Sequence, residues 1–315
     1  MKLAMILLAA LLAHIGPSDS LLVVSWNVEN FLDYRTDTTG RHTGGRFYSK
    51  CNAIAKTLLL IGERQGRLPD AVALMEVGNR FVLERLLHST PLRKLDYSIV
   101  HYDSPDRRGI DCALLYRRSR LKLRNSFPAH LYDSSGAVMP TRDILVAEFD
   151  SLAILVNHHP SKVGADSERR RGIALTRMTA LMDSLYSSGG WRRSVVSIDT
   201  GAANPLPTPY GGAGPHTLIG PAPNGYPVLA VGDFNDDLWR DGSPGTIKYN
   251  GAWEKIDGHF ARGLGVSETV FDDPFLSEPD RSWGGTKPRR AFIGPRWNRG
   301  ISDHYPIVLI ITPLR

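Results

Sequence analysis

Residues 21–30 have the sequence LLVVSWNVEN, in which an apolar run ends in polar side chains. A short apolar run of this kind is typical of a buried β-strand, which we expect over residues 21–26. Asn27 and Glu29 follow the run and would therefore lie at the carboxyl end of that strand. The same arrangement recurs along the chain, and it predicts a sheet that gathers polar groups at one edge.

Other apolar runs and helical repeats extend this pattern to the end of the chain. Strands are expected at residues 71–75, 97–102, 112–117, 144–149, 152–156, 228–231 and 307–311. Helices are expected at residues 49–61, 80–87 and 168–186, where apolar side chains recur at helical spacing. Short strands interleaved with helices predict one layered α/β domain over residues 21–315.

The composition is that of an ordinary globular protein. Of 315 residues, 42% are hydrophobic and 22% are charged, which excludes a disordered, collagen-like or coiled-coil chain. Thirty glycines and 21 prolines favour many turns between short elements. The two cysteines, Cys51 and Cys112, are too few for a disulfide scaffold or a cysteine zinc site. They could form one bridge or remain as two buried thiols.

The amino-terminal residues have the pattern of a signal peptide. An apolar stretch at residues 3–15 follows Lys2 and precedes small and polar residues. It is shorter than the roughly 20 apolar residues that a membrane span needs. We therefore expect residues 1–20 to be a signal peptide and the mature protein to be exported, without a stable membrane anchor and as a monomer. A Gly- and Pro-rich insertion without periodicity is expected at residues 199–226.

Polar clusters recur where the predicted strands end. They are Asn27 and Glu29, Glu76, the segment 157–159, the segment 233–235, and Asp303 with His304. Carboxylates and Asn amides without a cysteine partner suit a hard cation such as Mg²⁺, Mn²⁺ or Ca²⁺, and histidines add acid–base or anion-binding capacity. Each cluster alone could be a turn or a helix cap. Together they converge only if the strands lie side by side.

The order and local sequence of these clusters resemble the endonuclease/exonuclease/phosphatase superfamily, with the deoxyribonuclease I-like fold, as a secreted bacterial-type member. The matching segments are SWNVEN (25–30), LMEV (74–77), RGIDCALLY (108–116), VNHHPS (156–161), VGDFND (231–236) and SDHYP (302–306). The resemblance implies an α/β fold, a four-layered α/β sandwich with two mixed β-sheets flanked by helices. It also implies hydrolysis of phosphate esters with a divalent cation, Mg²⁺ or alternatively Mn²⁺ or Ca²⁺.

The resemblance assigns four residues to the metal. Glu76 would be the central ligand, and Asn27 would hold the metal or a phosphate oxygen. Glu29 would reach the ion directly or through water, although it could equally be a solvated loop carboxylate. Asp303 is placed on the metal side of its neighbour His304.

A second group is expected to carry the catalysis. His304 would polarise the scissile phosphate or act as general base, and its ring needs a carboxylate to fix the tautomer. Asp257 and Asp303 compete for that role, and Asp257 is assigned as the orienting residue. Asp233 would orient or deprotonate the attacking water, while Asn235 would hold the water or bind the phosphate.

The segment 157–159 leaves one choice open. His158 is favoured over His159 as the donor to the phosphate or leaving oxygen, with His159 retained as a phosphate-binding residue. Asn157 would brace the loop beside the phosphate. Arg108 and Asp111 lie where the superfamily places groups that contact the phosphate, although Arg108 could instead belong to a solvated surface turn.

The substrate class follows from export and charge. The net charge is +6 and the pI is about 9.3, which favours polyanions, although it could also reflect a merely soluble basic surface. Basic residues that could follow a phosphate backbone lie in the segments 117–124, 169–171, 192–193 and 289–290. An exported nuclease acting on nucleic acid is therefore expected. The alternatives are a hydrolase of small or lipid phosphoesters and, remotely, an inactive polyanion-binding scaffold.

Overall fold

The structure is a computed structural model, and it describes residues 20–190, 225–238 and 244–313. The predicted signal peptide, apart from Ser20, and residues 199–224 of the predicted insertion lie outside the described residues. The helices are α1 (Gly44–Arg64), α2 (Arg80–Ser89) and α3 (Ser167–Ser188). The strands are β1 (Leu21–Phe31), β2 (Ala71–Val77), β3 (Tyr97–His101), β4 (Asp111–Arg117), β5 (Leu123–Ala129), β6 (Ile144–Phe149), β7 (Ala153–His158), β8 (Val228–Asp233), β9 (Ile247–Tyr249), β10 (Ala252–Glu254), β11 (Asp257–Arg262), β12 (Leu264–Val270), β13 (Ser277–Pro279), β14 (Thr286–Pro288), β15 (Phe292–Ile293), β16 (Arg296–Trp297) and β17 (Ile307–Pro313).

Local sequence explains where the helices begin and end. The Thr43 side chain accepts a hydrogen bond from the Arg46 amide before α1, and the Asn79 side chain accepts one from the Val82 amide before α2. Both are N-caps, which satisfy amide groups that have no partner within the first turn. At the end of α3, Gly189 takes a left-handed conformation with φ of 81°, which costs glycine little.

The first sheet has six strands in the order β12-β17-β1-β2-β4-β3. β1 and β2 are parallel and α1 connects them, whereas the other neighbours are antiparallel. The second sheet has five strands in the order β11-β8-β7-β6-β5. Here β7 and β8 are the parallel pair, and α3 lies between them in the chain. Each sheet therefore contains one β-α-β unit with a parallel pair near its centre.

Three apolar clusters bind these elements into four layers. The first lies between the six-stranded sheet and helices α1 and α2, and includes Val24, Leu58 and Leu83. The second lies between the two sheets, and the third lies between the five-stranded sheet and α3. The order is helices, sheet, sheet, helix, which confirms the predicted four-layered α/β sandwich of two mixed sheets.

Every predicted strand and helix is present, with ends that differ by a few residues. The sequence patterns missed the edge strands β5, β11 and β12, which have many half-exposed side chains, and the short strands β9, β10 and β13 to β16. The edge strands carry no continuous apolar run because one edge and much of their surface face water. Burial on both faces made the central strands visible in the sequence.

Cys51 and Cys112 are both buried as free thiols. Cys51 belongs to the cluster beneath α1, whereas Cys112 belongs to the cluster between the sheets. They lie on opposite faces of the six-stranded sheet, so the open question resolves as two separate thiols. Among the described residues, no helix combines the length and apolar character needed to span a membrane.

Candidate active site

The polar strand ends meet at one edge of the two sheets. Asn27 lies near the carboxyl end of β1 and Glu76 near that of β2, while His158 and Asp233 end β7 and β8. Because each pair is parallel, the carboxyl ends within a pair lie together. Asn27 Nδ2 donates to Asp233 Oδ2 over 3.0 Å and joins the two sheets.

The backbone is irregular where these side chains leave the strands. Glu29, Asn30, Glu76 and Asn235 have positive φ angles of 46°, 52°, 63° and 51°. The pairing register also shifts beyond Asn27 and around Glu76. Such conformations cost non-glycine residues about 1–3 kcal/mol each and cluster at functional sites. The observed strain therefore supports a functional role for this edge.

His304 and Asp257 form a buried pair. His304 Nδ1 lies 2.8 Å from Asp257 Oδ2, which matches the orienting role that the sequence assigned to Asp257. The backbone of His304 is held as well, because its carbonyl accepts from Trp26 Nε1 over 2.9 Å and its amide donates to Ser302 Oγ over 3.0 Å. Asp257 thus holds the ring, and Trp26 and Ser302 hold the backbone that carries it.

Asp233 faces the other ring nitrogen. Its Oδ2 lies 3.9 Å from His304 Nε2, and Asp303 Oδ1 lies 3.9 Å from the same nitrogen. Burial raises the pKa of Asp233 to about 7, with a further rise from Asp257 that His304 opposes. Burial lowers the pKa of His304, but Asp257, Asp233 and Asp303 outweigh burial and hold it well above the ordinary value. At neutral pH the site therefore pairs an imidazolium with a carboxyl group poised to exchange a proton.

The two adjacent histidines have different surroundings. His158 Nε2 lies 3.6 Å from Asp233 Oδ2, and burial together with nearby Arg142 holds the His158 pKa well below its usual range. The His159 ring packs edge-on against Phe234 at 5.0 Å between centroids. Burial, again with Arg142, lowers the pKa of His159 to about 3. This placement favours His158 as the histidine that faces the reacting groups.

Arg142 is a site residue that the sequence reasoning missed. It is buried, its NH1 lies 3.3 Å from Asp106 Oδ2, and its NH2 donates to the His159 carbonyl over 2.6 Å. The same carbonyl accepts from Asn235 Nδ2 over 3.0 Å. Arg142 precedes β6, whose antiparallel direction places its amino end at the site. A lone arginine before an apolar run was the only signal in the sequence.

Asn235 and Asn157 hold backbone rather than projecting freely. The backbone N–H of Asn235 donates to Asp233 Oδ1 over 3.0 Å, which fixes one oxygen of that carboxylate. Asn157 is fully buried, and its Nδ2 donates to the carbonyls of Leu155 and Val231 over 3.1 and 3.3 Å. Asn157 therefore braces the parallel pair β7 and β8 beneath the site.

Both carboxylate oxygens of Asp111 are engaged by groups that precede it in the chain. Its Oδ2 lies 3.1 Å from His101 Nε2, and its Oδ1 accepts from the Ser104 amide over 2.8 Å. This carboxylate shapes the loop at residues 102–110. That loop carries Arg108, whose half-exposed guanidinium approaches Glu76 Oε1 at 3.6 Å. Of the two residues, the structure brings only Arg108 next to a predicted metal ligand.

Next to His304 and its carboxylates, the side chains of Glu29 and Asp303 lie near two cationic side chains, Arg290 and Lys50. Glu29 Oε1 accepts from Arg290 Nε and NH2 over 3.1 and 2.8 Å, and Glu29 Oε2 accepts from the Ala291 amide over 3.0 Å. Arg290 NH2 also lies 3.0 Å from Asp303 Oδ2. Lys50 donates to the Glu29 carbonyl. The Glu29 carboxylate is thus engaged by protein groups and anchors Arg290.

The donor set near Glu76 suits a hard divalent cation. Glu76 Oε2 accepts from the Asn30 amide over 2.8 Å, and the carboxylates of Glu76, Glu29 and Asp303 all act on Lys50 and Arg290. Burial lowers the pKa of Lys50 to about 8, against the pull of these carboxylates. Because Glu29 is engaged by Arg290 and Ala291, the Glu76 and Asp303 carboxylates are the oxygen donors here, of the kind that Mg²⁺ prefers. Among the described residues, two groups have ligand atoms within 4.8 Å of one another: Asp233, Asp257 and His304 at this edge, and His101, Asp103 and Asp111 where β3 ends and β4 begins.

The basic run at residues 117–124 lies away from this edge. β4 begins beside Val77 at the site and runs antiparallel to β2, so Arg117 lies at the opposite end of the sheet. Arg117 Nε lies 3.1 Å from Asp96 Oδ1, and Arg120 Nε lies 3.0 Å from Asp70 Oδ1. This run therefore lies at the end of the sheet away from the site, and Arg117 and Arg120 are paired with carboxylates there. Residues 192–193 lie outside the described residues.

Comparison with known proteins agrees with this geometry. Residues 23–202 match the model of the Endonuclease/Exonuclease/phosphatase family. An Endonuclease/Exonuclease/phosphatase family protein from Bacteroides thetaiotaomicron has a similar structure, with a TM-score of 0.54, 14% identity, and coverage of 95% of this chain and all of that one. A humanized D. rerio TDP2 is similar with a TM-score of 0.53, 15% identity, and coverage of 94% of this chain and all of that one.

A third similar structure is D. rerio TDP2 complexed with a single-strand DNA product, with a TM-score of 0.53, 14% identity, and coverage of 94% and 100% of the two chains. At these identities the structures establish the fold alone. No curated protein sequence matches the chain. The family match covers more than half of the residues and includes Glu76 and His158. The chain therefore belongs to the Endonuclease/Exonuclease/phosphatase family.

Proposed function

We propose that this phosphoester hydrolase is an exported, divalent-metal-dependent nuclease that cleaves phosphodiester bonds in nucleic acid. The observation that carries the proposal is the meeting of the His304–Asp257 pair, Asp233 and Glu76 at one edge of two sheets. These groups can donate a proton, accept a proton and hold a cation within one site. Phosphodiester hydrolysis needs all three capacities.

The proton chemistry follows from the two shifted groups. His304 is protonated at neutral pH, because Asp257 holds its Nδ1, and its Nε2 can donate to an oxygen of the scissile phosphate. Asp233, with a pKa of about 7, can accept the proton of an attacking water. The Asn27 side chain donates to one oxygen of Asp233 and the Asn235 backbone N–H donates to the other, so the orientation of this carboxylate is fixed. His158 stays neutral and can donate to or accept from the leaving oxygen.

Glu76 is the residue best placed to hold the cation, with Asp303 and Asn27 beside it. A bound divalent cation would neutralise charge on the phosphate and lower the pKa of a coordinated water. Glu29 contributes indirectly, because it anchors Arg290 next to Asp303. Arg108, at 3.6 Å from Glu76, can reach a phosphate oxygen from the other side.

Charge and export support nucleic acid over a small phosphoester. The net charge of +6 favours a polyanion, and Arg108 and Arg290 flank the predicted metal ligands. D. rerio TDP2, which has the same fold, was crystallised with a single-strand DNA product, so this fold accommodates a nucleic-acid strand. The signal-peptide pattern at residues 1–20 supports export, and amino-terminal sequencing of the periplasmic or secreted protein would test it.

The function is tested by assaying the purified protein on several phosphoesters. Plasmid DNA, RNA, bis-p-nitrophenyl phosphate, inositol phosphates and sphingomyelin would each be incubated with Mg²⁺, Mn²⁺, Ca²⁺ or chelator. We expect cleavage of DNA or RNA that requires a divalent cation. Turnover of inositol phosphate or sphingomyelin alone would instead establish the small-phosphoester alternative, and turnover in excess chelator would contradict the metal dependence.

A further inference from the structure

A groove opens beside Arg290, outside the residues assigned to the chemistry. It has a volume of about 480 Å³ and lies between residues 32–42 and residues 290–294. Glu29 and Arg290 form its end nearest the active site. Arg41 NH2 donates to the Gly294 carbonyl over 2.9 Å and ties the two segments together. The volume falls in the range of pockets that hold a small-molecule-sized ligand.

Aromatic rings and arginines alternate around this groove. Phe292 lines it and is half-buried, with the Arg41 guanidinium 4.9 Å from the ring centroid and the His42 ring at 5.4 Å. Outside the groove, Trp297 and Arg46 line a smaller neighbouring pocket that shares Phe292 with it, and Arg46 and Arg299 lie 5.6 and 5.8 Å from the Trp297 ring centroid. Residues 289–299 contain four arginines and no carboxylate. The surface is therefore cationic and offers ring faces.

The two acidic residues of the groove are both engaged by protein groups. Glu29 already accepts hydrogen bonds from Arg290 and Ala291. Asp37 accepts from the Thr39 hydroxyl and from the Thr39 and His42 amides, which shapes its own loop. Asp37 is thus bonded within its own loop and Glu29 is paired with Arg290, whereas Arg41 bonds a carbonyl oxygen and keeps its charge for an anionic ligand.

We infer that this groove binds an unpaired nucleic-acid strand next to the scissile phosphate, with a base stacked on Phe292 and a backbone phosphate at Arg41. The inference rests on the proposed nuclease function and adds the strandedness of its substrate. Aromatic rings interleaved with cations are the arrangement that binds single strands, because every base has a face that can stack. A groove of this volume accepts a nucleotide rather than a duplex, whose bases are already stacked on one another.

The groove is continuous with the active site, which defines the path of the bound strand. Arg290 bonds Glu29 at the groove's end and Asp303 beside His304, so one side chain joins the two sites. A strand whose scissile phosphate lies at His304 would pass Arg290 and enter the groove. The nucleotide adjacent to the scissile phosphate is the one expected on Phe292.

Binding of labelled oligonucleotides tests the inference. Fluorescence anisotropy would measure the Kd of a 12-nucleotide DNA single strand and of the blunt duplex of the same sequence, with Mg²⁺ and in a His304→Ala background that prevents turnover. We expect the single strand to bind more tightly than the duplex. Phe292→Leu should weaken single-strand binding by about 5- to 150-fold, whereas Phe292→Tyr, which keeps the ring, should restore it.

A charge variant gives a second readout, the salt dependence of binding, and keeps the Phe292 ring itself. Arg41→Gln should lower the slope of log Kd against log salt by about 0.7, the value of one phosphate contact to a single strand. The matched control is Arg118→Gln, an exposed arginine at the opposite end of the sheet. It should change neither Kd nor the salt slope.

The results separate this inference from the proposed function. If the protein cleaves nucleic acid but Phe292→Leu and Arg41→Gln both bind like wild type, the groove assignment is wrong. Equal affinity for the single strand and the duplex would also overturn it. If the single strand binds with the expected losses but no phosphodiester is cleaved under any metal condition, the nuclease proposal fails and the groove assignment stands.

Discussion

Charged side chains gather at both ends of the six-stranded sheet, but the two ends use them differently. At the end away from the site, Arg117 bonds Asp96, and Asp70 joins Arg120 to the Leu22 amide. Each of these carboxylates meets a cation or an amide of the loops that close the strands. The charged groups at that end therefore stabilise the local structure.

At the site end, several buried polar atoms have no hydrogen-bond partner. They include Asp257 Oδ1, His158 Nδ1, His159 Nε2 and Arg142 Nε. An unpaired buried polar atom costs about 1–3 kcal/mol, so folding alone does not favour such a cluster. The comparison teaches that the charges named at the far end are paired with one another, whereas the site end keeps buried polar atoms that a bound ligand could satisfy.

The largest expected effect comes from Glu76 at the site end. Glu76→Gln should reduce turnover to the background rate while leaving the melting temperature nearly unchanged, since the cation would lose its central carboxylate. Glu84→Gln is the matched control, because Glu84 lies half-exposed on α2 and pairs with Arg80 over 3.1 Å. Steady-state kinetics with Mg²⁺ would check both variants, and substantial turnover in Glu76→Gln would remove it as the metal ligand.

His304 and Asp257 should behave as one unit. His304→Ala and Asp257→Asn should each lower kcat by about 10²–10⁴, and the double variant should be little worse than His304→Ala. The reason is that Asp257 acts through the ring it holds at 2.8 Å. Asp303→Asn serves as the comparison, because Asp303 lies 3.9 Å from the other ring nitrogen. A near-normal Asp257→Asn with an inactive Asp303→Asn would transfer the orienting role to Asp303.

A substitution of Asp70 tests whether the charged groups at the end away from the site contribute to stability and not to turnover. Asp70→Ala leaves the buried Leu22 amide and Arg120 without this carboxylate, so we expect a loss of about 1–3 kcal/mol in the free energy of unfolding. Turnover per folded molecule should stay within about twofold of wild type. Denaturant unfolding and kinetics on the same preparation would measure both. A large loss of turnover without a loss of stability would break the distinction between the two ends.

The smallest effect concerns pH and His159. Its pKa in the folded protein is about 3, whereas the unfolded chain takes up a proton near pH 6.5. The unfolded state therefore binds more protons between these values, and stability falls as pH drops from about 6.5. His159→Phe keeps the edge-on contact with Phe234 and removes this titration. Its free energy of unfolding should fall less steeply between pH 7 and 5, by up to about 1.4 kcal/mol per pH unit, and equal slopes would contradict the assignment.

Much of the architecture could be predicted from the sequence because it depends on local pattern. Central strands such as β1 and β8 are apolar on both faces, so their runs are continuous, and their polar ends at Asn27 and Asp233 are visible in the sequence. The edge strands β5, β11 and β12 were missed, because half-exposed strands lack such runs. The motifs around Glu76 and His304 identified the family before any contact was known.

The tertiary structure alone decided which partners these side chains have. Arg290 reaches Glu29 across 261 residues, and His304 reaches Asp257 across 47, so no local pattern could pair them. It also turned Asp111 toward its own loop, and the antiparallel direction of β4 placed Arg117 at the far end. The physical reason is that burial and strand direction follow from the chain's own periodicity, whereas hydrogen bonds and ion pairs depend on how distant segments pack.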